Sequence, residues 1–560
     1  MLYTSRMQRL SCLLVVLVAC GGTQAGSTTG GGNGGSGGGG GGAVAGDVAI
    51  DLPNTDIKGI VFEPEALGRP GMPMMKAKKP IPVEAQRKKC QVVKDQLQKQ
   101  AECGVLAYQI YEDAKVKTGE DYKKAIGEAR QVMRDLAAQY SDKTDDLTWQ
   151  VLGTYEVMLE DWAGAEKAWA AFVKGQDAKS KQIPFGKAWW AYSLLHEYKN
   201  AEALAVVQAD QPSEKEPELA YVIGWAKFRA GDDAGAWQAI VAAAKGWQGG
   251  DRAALDRDVM LFASRSRNVS FDQAKQPLFD IFGAKQPAQQ YEVLAKLGLQ
   301  AYQFAGRWAD GVAAIDKALA TAGGTTPPND VPVLRYTQAD FMVRLDNPEA
   351  AAKYAKQALD SLAPCGAKCS AKDKQDIVGA IAIMGRLFHI LYATANDDRY
   401  YQPANDIYIA AIPLLDDASR RAEVNRDAET LQRTKKSAKP GSGKHDQSAI
   451  NALLGRHAQE VQACYEQVLS GNPKLAGSLT IHLDSDASGA IKGVATEPKA
   501  GAADLSAVAG CVADHAKSWK LPKRGMAGTT RIKATYALSP KQSNKPTAQA
   551  SSGTPGKSAK

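Results

Sequence analysis

The stretch YVIGWAKFRAGDDAGAWQAI, residues 221–240, has the pattern of two short helices joined by a tight turn. Small residues stand at Gly224 and Ala236, and Gly231 lies between them. Only Gly or Ala at a helix crossing lets two helix backbones approach closely. The stretch therefore predicts a helical hairpin.

Similar hairpins recur along the chain, which is the signature of a repeat architecture. The copies lie in residues 148–172, 187–206, 297–319, 337–359 and around 401–411. They resemble tetratricopeptide (TPR) repeats. We expect residues 85–431 to form a TPR-like helical solenoid that binds a peptide or helix of another protein; an irregular helical domain is the alternative. The Trp and Tyr residues at repeat positions are interpreted as core, so no binding residue is named on this array.

The chain begins with features of an exported protein. Residues 1–19 combine a short basic start with an apolar run too short to span a membrane, which predicts a signal peptide. The run ends in LVAC and resembles the lipobox of bacterial lipoproteins, which implies lipidation at Cys20. The alternative is an ordinary signal peptide with a chance cysteine. Gly21 favours an outer-membrane anchor facing the periplasm over an inner-membrane one.

Residues 20–84 are predicted to be a flexible tether, Gly-rich at first and then Pro-containing. No later segment is expected to span a membrane. The remainder has a soluble composition, 44% hydrophobic and 23% charged, with a modest net charge of +8. Because this charge is spread over tails and export is predicted, nucleic acid is not expected as a partner.

Catalytic and metal-binding signatures are missing from the sequence. The six histidines are scattered, no HExxH motif is present, and the letters GxSxG occur only as residues 34–38 of the Gly-rich stretch, where neither a preceding strand nor a following helix is predicted. We therefore predict a non-enzymatic protein without cofactor or metal.

The end of the chain changes character after a basic linker at residues 432–447. Residues 448–538 predict a small α+β domain with a three-stranded antiparallel sheet, followed by a disordered tail at 539–560. Its expected elements are a helix at 448–469, strands at 478–484 and 490–497, a helix at 503–519 and a strand at 531–538.

Cysteine positions suggest disulfides in an oxidising compartment. Cys464 and Cys511 each lie on the apolar stripe of a predicted helix, so we expect them to pair; two free buried thiols are the alternative. Cys365 and Cys369 predict a short local disulfide. Cys90 and Cys103 would be too far apart on one continuous helix. Either that helix breaks, or each cysteine pairs elsewhere or stays free.

The terminal domain resembles the C-terminal domain of TonB, and more closely the AgmX/PglI C-terminal domain of envelope and motility proteins. The residues that carry the resemblance are Cys464-Tyr465-Glu466, Pro473, Leu475, Gly477, Gly489, Cys511, Trp519 and Pro522. It implies that the last strand is an edge strand open to a partner's strand. The residues expected there are Arg531, Ile532, Lys533 and Thr535. Arg531 and Lys533 would either select the partner or discourage aggregation.

Together these features predict a non-enzymatic envelope lipoprotein that acts as a scaffold or adaptor, with the array and the terminal domain each binding an envelope protein. The alternative is a component of a gliding-motility or TonB-like transport machine that transmits mechanical work. The sequence names neither the partner nor the oligomeric state.

Overall fold

The structure is a computed structural model that describes residues 47–73, 81–323, 326–327, 329–395, 397–436, 447–500, 505–521 and 528–541. The predicted signal peptide, Cys20, the Gly-rich stretch and the end of the tail lie outside the described residues. The chain divides into two compact units. The helical unit comprises Val61–Val269 with Ser470–Asn472, and the C-terminal unit comprises residues 47–60, Ser270–Leu469 and Pro473–Pro540.

The helical unit is built from consecutive helices. They are α1 (Val83–Val92), α2 (Gln96–Ala114), α3 (Gly119–Tyr140), α4 (Asp146–Met158), α5 (Trp162–Gly175), α6 (Ile183–His196), α7 (Asn200–Val207), α8 (Pro217–Arg229), α9 (Asp233–Gly246) and α10 (Arg252–Arg265). Each packs on the next, as in a TPR-like array.

Small residues let the two helices of a hairpin approach, as the sequence predicted. A Cβ added to Gly224 on α8 would lie 3.4 Å from the carbonyl oxygen of Ala236 on α9. The turns between paired helices also share one conformation. A left-handed residue follows the first helix of the hairpin at Glu160, Tyr198 and Gly231, and again at Gly306 and Asp346 in the C-terminal unit.

The start of the helical unit has its own core and a disulfide. The buried cluster is formed by α2, α3 and α4 and includes Leu106, Ile126 and Met133. Cys90 and Cys103 are joined, with their Cα atoms 4.7 Å apart. The predicted long helix breaks between α1 and α2, where the Asp95 side chain accepts a hydrogen bond from the N–H of Gln98. This break resolves the open alternatives for these two cysteines.

The C-terminal unit continues with helices and ends in the α+β domain. The helices are α11 (Phe271–Ile281), α12 (Pro287–Lys296), α13 (Trp308–Ala322), α14 (Asp330–Arg344), α15 (Pro348–Asp360), α16 (Ala371–Ala395), α17 (Tyr401–Ala411), α18 (Ala418–Lys436), α19 (Gln447–Gly455), α20 (Ala458–Leu469) and α21 (Ser506–Ala516). A π-helical stretch, Leu297–Tyr302, extends α12.

Helix α16 is an exception to the expectation that no later segment has the length and apolarity of a membrane span. Its part Ala371–Ala393 is long and apolar enough to cross a membrane by length and composition. Within that part the most apolar window is 56% buried inside the protein, as in a core helix of a globular domain.

The sheet contains five strands rather than the three that the sequence predicted. They are β1 (Val48–Asp51), β2 (Thr55–Gly59), β3 (Gly477–Ser485), β4 (Ile491–Ala500) and β5 (Thr530–Pro540). Strands β3, β4 and β5 form the expected antiparallel part, in the order β4-β3-β5. The first two strands lie one after the other along the other side of β5 and pair with it in parallel.

The predicted open edge at β5 is therefore wrong. Val48–Asp51 pair with Thr530–Lys533, and Thr55–Gly59 pair with Tyr536–Pro540. The strand that carries Arg531, Ile532, Lys533 and Thr535 is thus a central strand. Its second side is occupied because residues 47–59 supply the backbone partners that were expected from another protein.

The prediction that residues 20–84 are entirely a flexible tether is wrong for 47–73. Ile50 and Ile57 on the two short strands are buried, and so are Ala66 and Leu67. The prolines in this region fall in extended and turn positions, which an ordered but non-helical chain accommodates.

The remaining cysteines are paired in the C-terminal unit. Cys365 is joined to Cys369, and Cys464 on α20 is joined to Cys511 on α21. The side chain of His515 lies close to the second pair. Because the two sulfur atoms are bonded to each other, they are not available as thiolate ligands of a metal ion.

Candidate functional site

The strongest candidate site lies on the helices α6, α8 and α10 of the helical unit. Residues 62–67, hereafter the docked segment, run across α6, α8 and α10. Pro64 holds this stretch extended, because a proline disfavours helical geometry in the residue before it. The stretch ends in a turn over residues 65–68, which is closed by the Gly68 N–H donating to the carbonyl oxygen of Glu65, and Gly68 has a φ of +66°. We call the residues on these helices and at their ends that contact the docked segment the docking face: Tyr192, Tyr198, Tyr221, Arg229, Asp251, Arg257 and Arg265.

Side chains of the docking face hold the backbone of the docked segment. The Tyr192 hydroxyl donates to the carbonyl oxygen of Pro64 at 3.1 Å. The guanidinium of Arg229 donates to the carbonyl of residue 62 at 3.5 Å, and that of Arg257 donates to the carbonyl of residue 63 at 3.4 Å. The segment thus obtains from side chains the hydrogen bonds that a strand would obtain from a neighbouring backbone.

Tyr221 is the centre of this arrangement. Its hydroxyl oxygen accepts hydrogen bonds from the N–H groups of Glu65 and Ala66, at 2.9 and 3.1 Å. The same hydroxyl donates to the Asp258 carboxylate at 2.7 Å. The Asp258 carboxylate accepts the hydrogen bond that the Tyr221 hydroxyl donates. The lone pairs of the Tyr221 oxygen therefore remain available to the N–H groups of the docked segment.

Asp258 is fully buried on α10. Burial raises the pKa of its carboxyl group to about 6, although the guanidinium of Arg257 and the Tyr221 hydroxyl favour the ionised form. The Trp225 indole N–H also donates to this carboxylate at 3.3 Å. Part of the Asp258 population therefore changes its protonation state near neutral pH.

The acidic side chains of the docked segment meet complementary groups. The Tyr198 hydroxyl donates to the Glu63 carboxylate at 2.6 Å. The Glu65 carboxylate pairs with Arg257 at 2.6 Å, and both side chains of this pair are about half exposed. The Arg265 guanidinium lies 5.5 Å from the centre of the Phe62 ring, a cation–π distance.

Arg229 is a partly buried cation of the docking face. Burial lowers the pKa of its guanidinium to about 10. The group also donates to the carbonyl oxygen of Leu195 at 2.5 Å and lies 5.2 Å from the centre of the Tyr198 ring. A buried positive charge next to an extended chain favours an acidic occupant.

The end of the docked segment fits a closed pocket. Ala66 is 0% exposed and Leu67 is 4% exposed. The N–H of Asp251 donates to the carbonyl oxygen of Ala66 at 2.8 Å. A Cβ on Gly250 would clash with that same oxygen, and Gly250 has a φ of +64°, so both space and backbone conformation require glycine there.

A second buried polar cluster lies in the C-terminal unit around Glu460. The indole N–H groups of Trp308 and Trp519 each donate to one of its carboxylate oxygens at 2.5 Å. The imidazole of His457 stacks on Trp519, with ring centres 4.6 Å apart. Burial by itself raises the pKa of Glu460, but His457, His515 and the Trp519 N–H outweigh it and hold this pKa below its ordinary value. Because one indole comes from α13 and the other from the terminal domain, this carboxylate connects the helices of the unit to that domain.

A groove of about 290 Å³ lies between α16 and α18. Its lining includes Gly379, Ile383 and Val424, and Arg386 pairs there with Glu423 and Asp427. The described residues give no indication of an occupant for this groove. The docking face, which holds a peptide segment, is the better candidate.

The residues of the docking face were not predicted from the sequence. The Tyr residues of the array were expected to belong to the core, and Tyr192 and Tyr221 are indeed buried. Their hydroxyl groups nevertheless contact the docked segment. The signal in the sequence was the charged residues Arg229 and Asp258 inside otherwise apolar helices, since a buried charge requires a partner. Of the predicted site residues, Cys20 lies outside the described residues.

Comparisons with known proteins gave structural likeness only. No protein-family profile and no curated protein sequence matches this chain. Among solved structures, the C-terminal part of a TPR repeat-containing protein from Cytophaga hutchinsonii is 14% identical, with 57% of this chain and 98% of that chain covered and a TM-score of 0.25. The Cut9–Hcn1 hetero-tetramer of the APC/C gives 12% identity, coverage of 65% and 96%, and a TM-score of 0.21. The TPR domain of P58(IPK) gives 13% identity, coverage of 64% and 99%, and a TM-score of 0.18. With TM-scores this low, the likeness supports no inference about function.

Proposed function

We propose that this chain is a non-enzymatic, lipid-anchored scaffold of the bacterial cell envelope, whose helical unit binds an extended segment of a protein partner. The observation that carries the proposal is the docking face, which holds residues 62–67, an extended stretch that ends in a turn at Ala66 and Leu67, through Tyr192, Tyr221 and Arg257. Peptide capture on one face of a helical array is a general property of such repeats.

Export and lipidation of Cys20 remain part of the proposal and rest on the amino-terminal sequence. The disulfides support them, because paired cysteines persist in oxidising compartments and are rare in the cytosol. An outer-membrane location facing the periplasm belongs to the same proposal.

A non-enzymatic role agrees with the surroundings of three histidines. His196 stacks on Trp162 with ring centres 4.0 Å apart, and His389 lies edge-on to Tyr408. His457 stacks on Trp519 beside the buried Glu460. These imidazoles pack against aromatic rings, which is typical of structural histidines.

The resemblance of residues 448–538 to the AgmX/PglI and TonB C-terminal domains also remains a proposal. The α-β-β-α-β order and the Cys464–Cys511 pair agree with it. Since β5 is paired on both sides, a partner of this domain has to use another surface.

Anchoring is tested by replacing Cys20 with alanine in the native cells. The full chain is expected in the membrane fraction, with a diacylglycerol mass on its amino-terminal peptide. The Cys20→Ala chain is expected in the soluble fraction. A variant that stays with the membrane would contradict lipidation at this position.

Partner binding is tested by photo-crosslinking in intact cells. A crosslinking residue replaces Ala253, an exposed position on α10 close to Asp251. The matched control replaces Lys356, which is exposed on α15. We expect a discrete adduct with an envelope protein at position 253 and not at 356. The same adducts at both positions, or none at either, would refute partner binding at the docking face.

A further inference from the structure

The docked segment is held in the manner of a bound peptide rather than of core packing. Side chains from α6, α8 and α10 donate hydrogen bonds to the carbonyl oxygens of residues 62–64. The Tyr221 hydroxyl oxygen accepts hydrogen bonds from the N–H groups of residues 65 and 66. Such side-chain capture depends on the backbone conformation of the segment, so a peptide of another protein with the same conformation and compatible side chains can make the same contacts.

We propose that the docking face is a receptor for an acidic peptide of another protein, with the pattern aromatic–Glu–Pro–Glu–Ala–Leu, extended up to its second Glu and turning at Ala–Leu, and that residues 62–67 are its exchangeable resident. This inference rests on the proposed scaffold function and names the chemistry of the partner. The resident shows which chemistry the face accepts.

Charge complementarity defines the first half of the pattern. Two carboxylates of the segment meet a face that carries Arg229, Arg257 and Arg265. Glu65 pairs with Arg257, and Glu63 accepts a hydrogen bond from Tyr198. A basic peptide would place like charges against these guanidinium groups, which costs free energy in a partly desolvated site.

Shape defines the second half. Ala66 has no exposed surface, and its carbonyl oxygen lies against the Cα of Gly250. Leu67 is buried beside it. The face therefore requires a small residue followed by a leucine-sized one.

Exchange is feasible because one contact of the segment is open to solvent. The Glu65–Arg257 pair is about half exposed, so an incoming peptide can compete there first. The resident is covalently attached, which gives it an effective concentration on the order of 1 mM. A free peptide is therefore expected to bind the native chain weakly and to bind tightly once the resident is displaced.

The test uses the full chain and a fluorescent synthetic peptide with the sequence of residues 60–70. Ala66→Arg should displace the resident without changing any residue of the face. The matched control is Ala313→Arg, which adds the same side chain at an exposed position of α13 in the C-terminal unit. Fluorescence anisotropy should show that the Ala66→Arg chain binds the peptide at least about tenfold more tightly than the native or control chains.

Specificity is tested in the Ala66→Arg chain. Peptides that carry Lys in place of both glutamates should bind at least about tenfold more weakly than the native sequence. Replacing Arg257 by Ala in the same chain should weaken binding of the native peptide. If both peptides bind equally, the proposed acidic pattern is wrong.

Two results would overturn the proposal. The first is an Ala66→Arg chain that keeps its near-ultraviolet circular dichroism and melting cooperativity but does not bind the peptide, since residues 62–67 would then be a permanent part of the fold. The second is a stable dimer when Ala66→Arg and native chains are mixed, detected by sedimentation, since the occupant would then be a second copy. Neither result depends on crosslinking in cells, so failure here is distinguishable from failure of the scaffold function.

Discussion

Residues 47–59 and residues 62–67 follow one another in the chain but are bound in opposite ways. In the C-terminal unit, β1 and β2 add to β5 through backbone pairing, and Ile50 and Ile57 are their buried apolar side chains. In the helical unit, residues 62–67 are bound by tyrosine, arginine and aspartate groups of the docking face.

The two surfaces differ in how well they can discriminate between partners. A strand ladder recognises an extended backbone and tolerates many side chains on its exposed positions. The docking face contacts both the backbone and the side chains of Glu63 and Glu65, so it can reject a wrong sequence. Selectivity is therefore expected in the helical unit.

The largest effect is expected on the pairing of β1 and β2 with β5, from loss of the disulfide between Cys464 and Cys511. The loop that it closes spans 47 residues, and the chain-entropy relation assigns about 4 kcal/mol to such a loop. In a Cys464→Ser/Cys511→Ser chain, amide exchange in β1 and β2 should accelerate strongly, because their partner β5 belongs to the destabilised domain.

The matched control is the Cys365→Ser/Cys369→Ser chain, whose disulfide closes a loop of only four residues. Its effect on exchange in the strands should be much smaller. Equal effects of the two pairs would show that the strand pairing does not depend on the terminal domain.

The next effect is expected on the docking face, from Tyr221→Phe. This change removes a hydroxyl that accepts two N–H groups of the segment and donates to buried Asp258. Unsatisfied buried groups cost roughly 1–3 kcal/mol each, so we expect a loss of about 3 kcal/mol in segment docking. Hydrogen exchange at residues 65 and 66 measures it.

Tyr155→Phe is the control for this change. The Tyr155 hydroxyl donates to the carbonyl oxygen of Ala107, away from the docked segment. Its loss should lower the stability of the helical unit by about 1 kcal/mol without selective exchange at residues 65 and 66. Selective opening of residues 65 and 66 in the control chain would show that docking of the segment does not depend specifically on the Tyr221 hydroxyl.

A smaller, pH-dependent effect is expected from Asp258. Its pKa is raised by burial to about 6, above its ordinary value near 3.8, so folding takes up a proton between these pH values. The contribution of Asp258 to the free energy of unfolding is therefore full below pH 3.8 and is lost as pH rises through 6. Between pH 5 and pH 7.5 the unfolding free energy of the native chain should fall by about 1–2 kcal/mol because of this group.

Asp258→Asn removes this titration, so the difference in unfolding free energy between the two chains should change with pH by that amount. The groups that face Asp258 are the guanidinium of Arg257, the Tyr221 hydroxyl and the Trp225 indole N–H. A difference that is constant between pH 5 and pH 7.5 would contradict the raised pKa.

Local patterns were enough to predict the helical hairpins and the antiparallel part of the sheet. Gly224 and Ala236 mark a close helix crossing that is set by residues only twelve positions apart. The alternating residues of β3 likewise predict a strand by themselves. The break before α2 was also readable, since Asp95 precedes Gln98 in a capping arrangement.

The two occupied surfaces were not predictable in the same way. The alternation of Val48 and Ile50 hinted at a strand, but its partner lies near residue 530, far along the chain. Similarly, the partner of Tyr221 is a segment about 155 residues earlier. Local periodicity carries no information on such distant pairings, and the prolines of residues 47–84 suggested solvated chain instead.

The smallest effect is expected from exposed side chains of β2. It tests directly whether the pairing of β2 with β5 tolerates a change of side chain. Asp56 and Lys58 point away from the buried face that holds Ile57. Asp56→Ala and Lys58→Ala should each change the unfolding free energy of the C-terminal unit by less than about 0.5 kcal/mol, because the backbone pairing with β5 is unaffected. Denaturant unfolding with exchange in β2 measures both. A loss above about 1 kcal/mol in either variant would show that side chains also select the occupant of β5, and the contrast between the two surfaces would disappear.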